Sequence, residues 1–246
     1  MGRDVVIPLP GGRTIPGVFE EAVGAPGPRP GVLVIHEALG LTAEMQRLAR
    51  QFAAAGFTAL APDFLHGLGP KPICIARFAR GIGQGARGRP YRQLEAARTW
   101  LAAQPEVAGR PIGVAGFCMG GGFALLYAAG ADVQAVAPFY PQTPSRDALA
   151  GVCPVVASYG GRDAIFGPGA ERLEAALVSL GVEHDVKVYP GAGHGFMVRY
   201  DGAIARLGRI LPMRLGHDAA AAADAWERTV DFFTRHLAAD DERGRE

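Results

Sequence analysis

The chain has 246 residues, 49% of them apolar and 20% charged, which is enough to bury one sizeable core and excludes both a wholly disordered chain and a small disulfide-stapled scaffold. Lys and Arg number 25 against 24 Asp and Glu, a net charge of +1, so no overall field draws the protein to nucleic acid or to an anionic membrane, and the expected partner is a small molecule. The three cysteines, Cys74, Cys118 and Cys153, are odd in number and far apart, and fit neither a disulfide framework nor close-spaced zinc ligands; no metal and no cofactor is expected.

The opening residues carry no apolar run of signal-peptide length, and no stretch approaches the roughly 20 apolar residues that cross a bilayer, so a cytoplasmic protein is expected. Without an internal repeat or a long linker, residues 1–246 read as one domain. The runs VVIPL and IPGVFE flank Pro10-Gly11-Gly12 and predict a hairpin at a sheet edge. Residues 32–36 are continuously apolar up to His36, the mark of a strand buried on both faces. A helix follows over 43–55, with Met45, Leu48, Ala49, Phe52 and Ala53 at helical spacing and Gly56 as its stop.

The alternation continues with strands at 57–61, 112–115, 135–139, 154–159 and 185–189, and helices at 91–104, 120–129 and 170–180. A last helix carries Trp226, Val230, Phe233 and Leu237 on one stripe. Strands alternating with helices imply right-handed crossovers and a mostly parallel sheet covered on both faces. The glycine-rich segment 66–90 has no clean period and reads as a partly helical excursion over the sheet edge.

Residues 112–122, IGVAGFCMGGG, are a strand that runs through Gly116-Phe117-Cys118-Met119-Gly120 into an apolar helix. That pattern is a nucleophile elbow, where small flanking residues permit a strained turn that lifts the central side chain above the sheet. Cys118 holds the nucleophile position, and the helix opening at Met119 offers an unpaired N–H and a positive dipole end to a thiolate or an oxyanion. Downstream, Asp163 follows Gly160-Gly161-Arg162 at a strand end, and His194 stands among glycines after the next strand. Nucleophile, acid and histidine in that chain order are the order of an α/β-hydrolase triad.

Glu37, at the end of the first buried strand, lies beside the elbow in such a sheet; burial raises a carboxyl's pKa there and lets it exchange a proton with the thiol. A structural carboxylate is the competing reading. The neighbouring Ala38 N–H is a second candidate oxyanion donor. His36 reads as a core histidine, and Cys74 and Cys153 as buried small hydrophobes.

Together, GFCMGG, YGGRDA, GAGHGF and VIHEALG resemble the dienelactone hydrolase family of α/β-hydrolases over nearly the whole chain. The resemblance implies a triad of Cys118, His194 and Asp163 and oxyanion donors at Met119 and Ala38. It also implies a Glu37 that holds the resting thiol until substrate displaces it, and substrates that are small lactones or activated esters, often bearing a carboxylate. One departure concerns that carboxylate. The family pattern has an arginine four residues after the histidine, where this chain has Val198 with Arg199 next, and Arg77, Arg80 and Arg87 compete for a second arginine position. Two other classes stay open on the residues alone: a non-catalytic binding protein on the same fold, and thiol redox sensing at Cys118, although no cysteine stands at resolving spacing.

Overall fold

The computed structural model describes residues 2–24, 26–67 and 88–238. Eight strands form one sheet: β1 (Arg3–Leu9), β2 (Arg13–Glu20), β3 (Gly31–Ile35), β4 (Thr58–Pro62), β5 (Ile112–Phe117), β6 (Ala135–Phe139), β7 (Val155–Gly160) and β8 (His184–Tyr189), in the order β1-β2-β4-β3-β5-β6-β7-β8. The β1 and β2 hairpin, turned through Gly11 and Gly12 at positive φ, forms one edge and joins β4 antiparallel. Every pairing from β4 to β8 is parallel.

Side-chain alternation along the central strands feeds two separate cores. Leu33, Ile35 and Val114 point to one face, and Val32, Val34, Ala115 and Phe117 to the other. On the first face the sheet is covered by α2 (Arg89–Ala102), α3 (Met119–Ala128) and α4 (Gly169–Leu180), through Leu94, Leu101, Phe123, Leu173 and Leu177. On the second lie α1 (Ala43–Ala54) and α6 (Ala219–His236), through Leu48, Phe52, Phe232 and Phe233. Phe52 is fully buried, with its ring 4.7 Å from Trp226 and 6.0 Å from Phe233, and each such ring contributes about 1.5–3 kcal/mol by leaving water.

Helix boundaries follow local chemistry. Thr42 caps α1 by accepting from the Met45 N–H at 3.4 Å, Asp218 caps α6 through Ala221 N–H at 3.0 Å, and α4 stops at Gly181 with φ +65°. The last helix begins at Ala219, seven residues before Trp226, because its alanine run has high helix propensity but no apolar stripe to announce it. A short α5 (Gly202–Gly208) also went unread: Ile204 and Leu207 are exposed, so no buried period marks it. In segment 66–90, Pro90 in the first turn helps start α2 at Arg89, and residues 68–87 lie outside the described residues.

The consequence for the site is topological. β3 leads to β4 on one side and β5 lies on the other, so the chain changes direction between β3 and β5, and a crevice belongs at the C-terminal ends of those strands. The register sets Ile35 beside Gly116, so Glu37 and Cys118, each two residues further on, leave the sheet side by side.

Candidate active site

Cys118 follows β5 and caps α3 with φ 56° and ψ −120°, a backbone strained by about 1–3 kcal/mol for a residue with a side chain. The turn is held from both sides: the Cys118 N–H donates to Phe139 O at 3.0 Å, and Gly121 N–H donates to Cys118 O at 3.0 Å. Only glycine fits the flanking positions. A Cβ on Gly116 would fall on the Gly120 carbonyl, and one on Gly120 would stand 2.5 Å from Ile35 O and 2.6 Å from His36 O. Cys118 is half-buried, and the Met119 and Ala38 N–H groups beside it are taken by no acceptor among the described residues. Both amides are free to meet developing negative charge.

Asp163 and His194 come from the loops after β7 and β8. A Cβ on Gly160 would collide with Gly193 O, so the two glycines let these loops touch. His194 Nδ1 bonds to Asp163 Oδ2 at 2.6 Å, and Asp163 Oδ1 accepts from the Ile165 and Phe166 N–H groups, each at 3.0 Å. The carboxylate is therefore fully used and fixes the ring. The His194 main chain is strapped as well, its N–H donating to Met213 O at 2.8 Å and its carbonyl accepting from Gly216 N–H at 3.1 Å. The rings of Tyr140 and Phe166 lie 4.8 and 5.0 Å from the imidazole.

His194 Nε2 is buried with no hydrogen-bond partner of full geometry among the described residues, and it lies within electrostatic reach of the Cys118 sulfur. Burial alone would lower the imidazole pKa, but the Asp163 hydrogen bond and the Cys118 sulfur outweigh it and raise the pKa to about 9. The elbow, the aspartate and the histidine thus converge on one point, with a proton acceptor facing a thiol.

Glu37 is 3% exposed, and burial raises its pKa against the opposing effect of a Tyr200 hydroxyl that donates to Oε2 at 2.6 Å. Among the described residues its Oε1 has no hydrogen-bond partner. His36, next to it, is a satisfied core histidine: Nδ1 bonds to Glu37 O at 2.7 Å, Nε2 accepts from Phe64 N–H at 3.0 Å, and burial keeps the ring neutral.

Of the arginines, Arg199 is exposed and contributes its backbone N–H to Glu44 Oε2 at 3.0 Å, while Val198 is buried. Arg77, Arg80, Arg87 and Cys74 lie outside the described residues. Cys153 is partly buried, and burial pushes its thiol up to about 12. Among the described residues no cluster of metal-ligating side chains occurs, and no helix is long and apolar enough to cross a membrane.

Sequence reasoning missed the two phenols. Tyr140 directly follows β6 at φ 39°, is fully buried, and its hydroxyl has no partner among the described residues; Tyr200 stands six residues after His194. The signal for Tyr140 was its place at a strand end beside the elbow. For Tyr200 nothing in the local pattern marks the inward turn.

A mostly parallel sheet covered on both faces, with a strained elbow at the end of its fifth strand and an Asp–His pair beyond the seventh and eighth, defines an α/β-hydrolase fold. The structure of a thermostable esterase from Pseudomonas putida shares that fold, with a TM-score of 0.67 over 98% of this chain and 84% of that one at 17% identity. The dienelactone hydrolase family matches residues 15–237, and the chain belongs to that family. The carboxymethylenebutenolidase of Rhodococcus opacus is 30% identical over 84% of this chain and 81% of its own. A dienelactone hydrolase-like promiscuous phosphotriesterase, P91, from metagenomic libraries superposes with a TM-score of 0.79 at 28% identity, covering 97% of this chain and 99% of that one.

Proposed function

We propose that the protein is a cysteine-dependent hydrolase of small carboxylic esters or lactones. The observation that carries this reading is the 2.6 Å bond from His194 Nδ1 to Asp163, which leaves Nε2 facing the thiol at the strained elbow. Cys118 gives its proton to His194 and attacks the substrate carbonyl, while the Ala38 and Met119 N–H groups hold the oxyanion. The imidazolium returns the proton to the leaving oxygen as the acyl-thioester forms. His194, neutral again, takes a proton from water, which attacks the thioester; the C–S bond breaks, the acid leaves, the imidazolium returns the proton to the Cys118 sulfur, and Asp163 keeps the imidazole in the tautomer both steps need. Glu37 holds the resting thiol until substrate displaces it.

Family membership and the Rhodococcus opacus carboxymethylenebutenolidase support ester or lactone cleavage over other chemistry on this fold. The test offers p-nitrophenyl acetate and a panel of enol-lactones to wild type and to Cys118→Ala. Turnover by wild type that falls about 10³-fold or more in the variant is expected. Turnover retained in the variant overturns the cysteine mechanism, and binding without wild-type turnover makes the protein a receptor. Adding a phosphotriester to the panel asks whether the promiscuity of the phosphotriesterase P91 extends to this chain.

A further inference from the structure

Tyr200 touches both sides of the constellation. Its hydroxyl donates to Glu37 Oε2, and the same oxygen lies so close to Gly195, the residue after His194, that a Cβ there would stand 2.5 Å from it. Gly195 has φ +69°, which glycine alone adopts without strain. The segment is pinned from outside: Arg199 N–H is bonded to Glu44, Glu44 is paired with Arg47 at 3.1 Å, and Arg47 Nη2 donates to Met197 O at 3.0 Å.

The charged and titratable groups facing Glu37 come from four directions. His194 and Tyr200 belong to the strapped loop, Glu44 to α1, Tyr140 to the end of β6 and Cys118 to the elbow, while Arg47 of α1 acts on Tyr140. Register sets Cys118 beside Glu37, and the Tyr140 and Tyr200 hydroxyls feel both.

A carboxylate this deeply buried protonates unless something holds its charge, and a tyrosine hydroxyl holds it in a particular way. An O–H donor stabilises the carboxylate without cancelling it, whereas a guanidinium in the same place would neutralise its field. A negative charge beside a thiol disfavours the thiolate. We propose that Tyr200 is a positioning residue that keeps Glu37 ionised and in place beside Cys118, so that the nucleophile rests as a protonated thiol until substrate enters. The proposal deepens the hydrolase reading by assigning the control of its nucleophile's resting state.

The experiment measures the rate at which iodoacetamide alkylates Cys118 as a function of pH, with peptide mapping to separate it from Cys74 and Cys153. It needs no substrate, so its outcome is independent of whether the enzyme hydrolyses esters. A hydrogen bond to a charged group is worth about one pKa unit or more, so Tyr200→Phe moves the Glu37 titration upward by about that much. Within that window Cys118 in the variant is alkylated faster than in wild type, up to about tenfold, and the two profiles meet again above and below it. Glu37→Gln is fast throughout, and adding Tyr200→Phe to it changes nothing. Identical wild-type and Tyr200→Phe profiles overturn the proposal. So does an acceleration that is uniform in pH or that persists in the Glu37→Gln background, because that marks a loosened loop.

Discussion

His194 is ordered by one carboxylate, and Asp163 in turn engages both oxygens, one with the imidazole and one with two backbone amides. Asp163→Asn keeps the shape but presents an amide that cannot hold the same tautomer, so kcat for p-nitrophenyl acetate falls by up to about 10⁴-fold while the thermal midpoint moves far less. The pair also has a stability signature. The His194 pKa is about 9 in the folded protein against 6.5 for the free group, so its contribution is complete below pH 6.5 and is lost as pH rises towards 9. Melting curves across that interval should show wild type losing more stability than Asp163→Asn; equal losses would mean the pair is not coupled to folding. Arg199, one place past the family's arginine position, contributes its main chain and leaves its side chain exposed. Arg199→Ala therefore changes KM for a carboxylate-bearing lactone by no more than about twofold, as expected for an exposed charge, and a larger rise would place its guanidinium on the substrate.

Elements fix how closely these residues approach. The N-terminal turn of α3 sits against the end of β3 because Gly120 has no side chain. Gly120→Ala drives a methyl into two backbone carbonyls that cannot move independently, and a loss of at least about 1–3 kcal/mol in urea unfolding, together with loss of activity, is expected. Across the sheet, Phe233 lies far from the chemistry yet locks α6 on Phe52 and Phe57. Phe233→Ala costs about 3–5 kcal/mol but leaves kcat near wild type at temperatures where the variant is folded. The same division explains what the sequence made legible. Central strands and long helices announce themselves through continuous apolar runs and buried stripes, and the candidates Cys118, Asp163, His194 and Glu37 through strand ends, the glycines around them, their chain order and the family resemblance together. Tyr200 could not be picked out, because a tyrosine turned inward from a loop reads the same as one packed in a core, and Tyr140 offered only its place at a strand end. The short α5 buries no stripe and leaves no period to find.

At the scale of the molecule, the sheet works as a frame that delivers four strand ends to one edge: β3 brings Glu37 and Ala38, β5 brings Cys118, and the loops after β7 and β8 bring Asp163 and His194. Groups carried by different strands are far apart in sequence, so the site exists only when the whole sheet is assembled, and partial unfolding should abolish activity together with global structure. The hairpin edge formed by β1 and β2 takes no part in the site and serves to close the sheet beyond β4. The sharpest trial of a thiol nucleophile is to mix the enzyme with p-nitrophenyl acetate, quench within the first turnovers, and map the product by peptide mass spectrometry. An acetyl group on the Cys118 peptide, lost on further incubation and absent from Cys118→Ala, is the predicted result; turnover with no adduct on Cys118 at any time, undiminished in the variant, would contradict it.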